Sequence, residues 1–174
     1  MGGTAATVEV MADRSMAERI SVDAIQEYGA MLLATARVLT LSDTEAQDLV
    51  QTTFEIALRR LDTLRDPNAM RSWLLRIETR EALRLARRLS RLVRLDHEQH
   101  DIPDTSADPS RRAEEADLRA ALGKLPPRIR AAVVLHHMVG LPVRDTALAL
   151  GVSENTAKTQ LKRGLARLRE ALHD

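Results

Sequence analysis

Six arginines in this chain of 174 residues stand in register: Arg76, Arg80, Arg84, Arg87, Arg91 and Arg94, at steps of 4, 4, 3, 4 and 3. At about 100° per residue they fall within an arc of roughly 80° on one side of a helix. Like charges in line destabilise a helix unless a polyanion or an acidic protein surface faces them. A stripe that served only solubility would mix its signs; a solvated basic face is the plain alternative. A second group lies near the C-terminus, where Asn155, Lys158, Thr159, Lys162 and Arg163 share the outward face of a helix. The inward face of that helix carries Ala157, Leu161, Leu165 and Leu168. Donors of these types at helical spacing suit a major groove, where they read base edges and grip phosphates. The competing reading is an ordinary surface helix, polar outside because water is there.

Other residues that could do chemistry lack the right company. His97 and His100 are three apart in a polar stretch, whereas the helical metalloprotease motif needs histidines four apart on one face. His136 and His137 are adjacent, so on a helix they point about 100° apart and chelate poorly. There is no glycine-rich phosphate loop, no nucleophile elbow and no pair of carboxylates in an apolar setting. No catalytic residue, cofactor or metal is expected.

The elements that position the basic groups are helical throughout. Residues 1–20 show no sustained period and read as a mobile tail. From Ser21, the residues Val22, Ile25, Tyr28, Leu32, Ala36 and Leu39 recur on one helical face. Ser42 and Glu45 have the spacing of a capping box that opens a second helix. Its buried side is expected to carry Ala46, Leu49, Val50, Phe54, Ala57, Leu58 and Leu61. Asp66-Pro67 is another start signal, and a long helix carrying the arginines should run to about Ser90. The stretch DHEQHDIPDTSADPS, residues 96–110, buries too little apolar area to offset its ordering entropy and reads as a linker, taken to 115. Helical pattern resumes through Leu118 and Leu125, restarts at Pro126-Pro127 and stops at Gly140. Then come two helices, Pro142–Leu150 and Glu154–Leu172, joined by Gly151-Val152-Ser153 in a helix-turn-helix arrangement. Ala147 is small where the pair must meet, and Gly151 can adopt the positive φ of a tight turn. The expected fold is all-α: two small helical domains, residues 21–95 and 116–174, on an acidic flexible linker.

Composition agrees with this reading. Hydrophobic residues make up 44% and charged ones 29%, yet there is one Tyr, one Phe and one Trp, so the cores must be built from Leu, Val, Ile and Ala. No cysteine is present, which excludes disulfides and thiolate metal sites and fits a reducing cytoplasm. No uncharged run approaches the roughly 18 residues of a membrane span, and residues 1–20 lack the basic start of a secretory signal. The net charge of +1 is a cancellation: −4 over residues 1–75, +5 over 76–95, −6 over 96–118 and +6 over 119–174. Two basic blocks around an acidic one suggest a polyanion touched in two places. On a flexible tether the acids should also compete with that polyanion for the basic faces.

Three motifs, in order, carry a resemblance. Asp48-Leu49-Val50-Gln51-Thr52-Thr53-Phe54 resembles the second-region signature of extracytoplasmic-function sigma factors, as does Arg71-Ser72-Trp73-Leu74-Leu75-Arg76-Ile77. Leu125-Pro126-Pro127-Arg128, Gly140-Leu141, Ala147, Gly151-Val152-Ser153 and Thr156-Ala157-Lys158 resemble the fourth-region helix-turn-helix. The similarity runs from about residue 21 to 172. It implies a bacterial alternative sigma factor, acting in the cytoplasm with core RNA polymerase and promoter DNA, with an anti-sigma protein as a further candidate partner. It further implies that Asp48, Leu49, Gln51, Thr52 and Glu55 face polymerase. Arg76, Arg80 and Arg84 would face the −10 strand, with the loop from Asp62 to Asn68 holding an extruded base. Asn155, Lys158, Thr159, Lys162 and Arg163 would meet the −35 element.

Some positions depart from the family pattern. Arg80 and Arg84 stand where short polar residues are frequent, Glu78 where Ala is usual and Thr52 where Glu is usual. Arginine suits phosphate or guanine better than compact amide contacts to a flipped base. A stand-alone helix-turn-helix regulator is the rival reading, but it has no use for the motifs between Asp48 and Ile77. An enzyme using the histidines is a second rival, to be separated by metal analysis.

Overall fold

The computed structural model describes residues 26–92 and 109–173, and within them every regular element is helical. The N-terminal tail and most of the acidic linker therefore lie outside the described residues. Helix α1 covers residues 26–40 and α2 covers Asp43–Arg59. Two short 3₁₀ turns, Leu61–Thr63 and Pro67–Ala69, lead into the long α3, Met70–Leu92. The second half comprises α4 (Pro109–Gly123), α5 (Pro127–Val133), α6 (Val143–Leu150) and α7 (Glu154–His173). A π-helical turn, Val134–Met138, continues α5. Helix α4 begins at Pro109, inside the stretch that composition marks as linker.

The start signals act as their chemistry dictates. Ser42 Oγ accepts from the Glu45 N–H at 3.3 Å, satisfying one of the orphan donors at the start of α2. Helix α1 ends at Leu41, whose φ of 61° closes the turn through its N–H to the Arg37 carbonyl. Arg37 then reaches across this corner to Asp43 at 2.8 Å. Asp66 caps the Pro67–Ala69 turn rather than α3 itself: its carboxylate accepts from Asn68 N–H at 2.9 Å, and α3 starts at Met70.

Helices α1, α2 and α3 bury the expected faces, including Leu32, Ala36, Leu39, Ala46, Leu49, Ala57, Leu74 and Leu75. Leu58, expected inside, is exposed because it lies at the edge of the α2 stripe, beside a surface groove. The buried threonines Thr35 and Thr53 satisfy their hydroxyls by donating to the carbonyls of Met31 and Leu49, one turn back. In the second half, α5 and α7 cross at Gly164. A Cβ built there would sit 2.4 Å from Val133 Cγ2 and 3.1 Å from Ile129 Cγ2, so only glycine permits the approach.

The two halves also pack against each other. One apolar cluster joins Ala36, Leu39, Leu49 and Leu83 to Leu122, Val134, Leu150 and Leu161. A second joins Leu32, Leu74, Leu75 and Ile77 to Leu135, Leu141 and Ala149. Helix α6 lies along α3. A tether predicts nothing of this kind. It follows from apolar residues on the second half, such as Leu141 and Ala149, that no neighbour within that half covers alone.

Candidate nucleic-acid and partner interfaces

Helices α6 and α7 are set at their angle by the turn between them. Gly151 adopts φ 65° and ψ 41°, its N–H caps the end of α6, and the Val152 N–H returns to the Ala147 carbonyl at 3.0 Å. Ala147 is 3% exposed, so a larger side chain would wedge the pair apart. Ser153 Oγ accepts from the Thr156 N–H at 3.2 Å and starts α7. The inward face of α7 is Ala157, Leu161, Gly164 and Leu168, at steps of 4, 3 and 4. Leu165, expected inside, is only half-buried; Gly164 takes the place nearest α5. A glycine in helical register with the apolar positions was the signal in the sequence.

Asn155, Lys158, Thr159, Lys162 and Arg163 are all exposed on the opposite side. The Thr159 hydroxyl donates to the Asn155 carbonyl at 2.9 Å, which leaves its lone pairs free as acceptors. The face projects three full cations and two short polar groups from a rigid helix into solvent. It can bind a phosphate backbone and read base edges.

The arginine stripe runs as expected along α3 through Arg91; Arg94 lies outside the described residues. Its members are not equivalent. Arg84 pairs with Glu81 at 3.4 Å, and Arg87 Nε donates to the Leu83 carbonyl at 3.2 Å. Arg76 is half-buried, and its Nε is buried without a partner among the described residues. Arg80 is exposed and donates through Nη2 to the Leu148 carbonyl of α6 at 3.4 Å. Arg76, Arg80 and Arg84 line an open basin together with Asp62, Thr63, Trp73, Arg59 and Arg60. The last two, at the end of α2, escape a reading along a single helix, since only the fold brings the α2 terminus beside α3. Five guanidiniums and one indole suit an unpaired nucleotide: phosphate against charge, base against ring. In the loop before α3, Asp66 Oδ1 is already taken by the Asn68 N–H and side-chain amide, at 2.9 and 3.1 Å.

On α2, Asp48, Gln51, Thr52 and Glu55 share one side, exposed except for Thr52, which is partly covered. Gln51 Nε2 donates to Glu55 Oε1 at 3.0 Å. Leu49 does not belong with them. It is 5% exposed in the core, because its position on the helix turns it towards the other helices. An apolar groove of Leu33, Val50, Phe54 and Leu58 flanks the polar face on one side. A mixed-charge groove, with Glu45, Asp48, Glu81, Arg84 and Arg88, flanks it on the other.

Glu78 is fully buried, neither carboxylate oxygen has a hydrogen-bond partner among the described residues, and burial pushes its carboxyl well above the usual range. Of the histidines, His97 and His100 lie outside the described residues. His136 Nδ1 meets the Leu141 carbonyl at 2.7 Å, which ties the end of the π turn to the start of the next helix. Burial, with the neighbouring His136, holds His137 below the ordinary imidazole range. Among the described residues no three metal-ligating side chains converge and no helix is long and apolar enough to cross a membrane.

Residues 24–92 match the family of sigma-70 region 2 and residues 115–168 that of sigma-70 region 4. The RNA polymerase sigma-E factor of Streptomyces avermitilis is 38% identical over 145 residues, covering 81% of this chain and 78% of that protein. The ECF RNA polymerase sigma factor SigM of Mycobacterium tuberculosis is 32% identical over 168 residues, covering 94% and 83%. The sigma factor RpoE of Bartonella quintana, solved in complex with the anti-sigma factor NepR, superposes with a TM-score of 0.73 at 26% identity. That match covers 87% of this chain and 97% of that one.

Proposed function

We infer the roles of the individual faces from the premise that this chain belongs to the extracytoplasmic-function sigma factors of the sigma-70 family. It is an alternative sigma factor: it binds core RNA polymerase and directs transcription initiation. Within that activity we assign the −35 element to Asn155, Lys158, Thr159, Lys162 and Arg163. The −10 strand goes to Arg76, Arg80 and Arg84, and polymerase to Asp48, Gln51, Thr52 and Glu55. Leu49 supports that last face from beneath. Residues 21–95 and 116–174 act as the two functional units, in the cytoplasm, where the polymerase is. An anti-sigma protein, such as the one bound to the Bartonella neighbour, is a further partner.

The observation that carries this reading is the coexistence of a capped helix-turn-helix whose outward face is exposed with a separate basin of five arginines, three on α3 and two at the end of α2. A duplex reader needs only the first. A protein that also holds an unpaired strand needs the second. Strand opening then requires no chemistry from the chain: preferential binding of unpaired bases over duplex shifts the equilibrium toward the melted state, so no catalytic residue is assigned.

The test is reconstitution. Purified chain added to core polymerase should produce run-off transcripts from a subset of genomic fragments. Alanine at Arg76, Arg80 and Arg84 together should abolish open complexes, while duplex binding through α7 persists. Unchanged open-complex formation by that triple variant would falsify the −10 assignment.

A further inference from the structure

The basin of arginines also holds a carboxylate for which a phosphate site has no use. Asp62, in the 3₁₀ turn after α2, lines it together with Trp73, Arg80 and Glu81. An acid among guanidiniums repels a phosphate backbone and weakens the field that would hold one. Glu81 is occupied by Arg84 at 3.4 Å, whereas Asp62 is exposed and has no ion pair among the described residues. Arg80 is exposed as well. Its contact with the Leu148 carbonyl uses one of five guanidinium donors at a long 3.4 Å, so a two-donor edge stays available. Trp73, the one tryptophan of the chain, packs against the apolar cluster of Leu74, Leu75 and Leu135, which holds its ring at the basin wall. A volume of about 760 Å³ is enough for a whole nucleotide.

We propose that the basin selects guanine: an unpaired guanine of the −10 strand stacks on Trp73, accepts from the Arg80 guanidinium through O6 and N7, and donates N1–H and N2–H to the Asp62 carboxylate. The inference rests on the assignment of the basin to that strand and names the base it holds. Arginine alone does not choose. An unpaired cytosine presents two adjacent acceptors, N3 and O2, much as guanine presents O6 and N7. The carboxylate decides. It has acceptors only, so two contacts need two donors side by side. The N1–H and N2–H of guanine are such a pair, whereas adenine, cytosine and thymine each carry one donor group on the pairing edge, next to an acceptor that a carboxylate repels. Guanine is therefore the one base that satisfies an arginine fork on one edge and a carboxylate on the next. Arg59 and Arg60 are left for the flanking phosphates. Asp62 and Arg80 become specificity determinants, and the arginine stripe by itself gives no hint of the first.

The test uses the chain bound to core polymerase and a labelled oligothymidylate with one central base varied, followed by anisotropy, with core polymerase alone as the blank. Central guanine should bind about five- to tenfold tighter than adenine, cytosine or thymine, the lower end of what a bidentate pair discriminates. Hypoxanthine, which lacks only the 2-amino group, should lose about threefold against guanine in the wild type and nothing in Asp62→Ala. Removing the acid should also strengthen binding of the all-thymine strand, since a negative charge leaves the basin; the two effects have opposite signs, which a merely structural role of Asp62 would not produce. Arg80→Lys keeps the charge but not the fork, so it should reduce the guanine preference and spare the all-thymine strand. Both residues are exposed, and circular dichroism checks that each variant is folded. Millimolar dGMP should leave the oligonucleotide bound; displacement would make the ligand a free guanine nucleotide and overturn the strand as its source. Equal affinity for the four bases, or a guanine preference that survives Asp62→Ala, overturns the proposal. If Arg76→Ala, Arg80→Ala and Arg84→Ala together still weaken every oligonucleotide alike, the −10 assignment stands without it; if they weaken none, that assignment falls as well.

Discussion

Gly164→Ala tests whether the helix-turn-helix owes its geometry to the crossing of α5 and α7. Two effects oppose each other. Alanine in a helix interior is favoured over glycine by about 0.8–1.0 kcal/mol. The new Cβ, however, would lie 2.4 Å from Val133 Cγ2, a separation that carbon atoms do not tolerate. Val133 is 3% exposed, so it cannot swing aside, and Ile129 Cγ2 closes the other flank at 3.1 Å. Overpacking of this kind costs about 1–3 kcal/mol. A separation this short in a tight core puts the clash towards the upper end of that range, leaving a net loss of up to about 2 kcal/mol, or a fall of up to about 8 °C in Tm for a chain of this size. Val133→Ala removes the obstructing methyl and costs about 2 kcal/mol by itself, since it also strips packing from the core. In the double variant the alanine methyl fills that space, so the two losses should not add, and the coupling should exceed about 1 kcal/mol. Urea melts of the four proteins in the cycle measure it. If Gly164→Ala is as stable as the wild type or more so, and the cycle is additive, the close approach does not constrain the fold.

Other expectations follow from single groups. Burial raises the pKa of Glu78 well above the ordinary carboxylate range, so above that range the unfolded chain has lost a proton that the folded chain keeps. Stability should then fall as pH rises, by up to about 1.4 kcal/mol per unit until the folded group itself ionises. Glu78→Gln should remove that slope, matching the wild type at about pH 4 and exceeding it at about pH 7; parallel melting curves across this range would count against a charge-free buried carboxyl. Lys162→Ala with Arg163→Ala should weaken binding to a −35 duplex and reduce the slope of log affinity against log salt by about 0.9 for each phosphate no longer neutralised. An unaltered slope would leave the outward face of α7 without a backbone role. Gln51→Ala with Glu55→Ala should reduce capture of core polymerase without lowering Tm, since both are exposed; full capture would move that interface elsewhere on α2.

Local signals determined most of the elements. Ser42, Asp66, Ser153 and Gly151 act through bonds to residues two to four positions away, so their roles can be read from spacing. The same holds for the outward face of α7 and for the stripe on α3, because helical period alone puts those residues on one side. The tertiary structure decided what lies opposite each face. Leu49 and Leu58 have the same polarity, yet packing buries one and exposes the other. Arg59 and Arg60 join the stripe only because α2 ends beside α3. Glu78 is in helical register with the buried Leu74, Leu75 and Ala82, so its side is legible in the sequence, but only the surrounding helices leave its carboxylate without a partner among the described residues. The arginine bonds from Arg71 to the Val139 carbonyl and from Arg80 to that of Leu148 span 68 residues, and that from Arg130 to the Leu39 carbonyl spans 91. Helix-end carbonyls belong to every sequence alike, so which of them a guanidinium meets is decided only when the chain has packed.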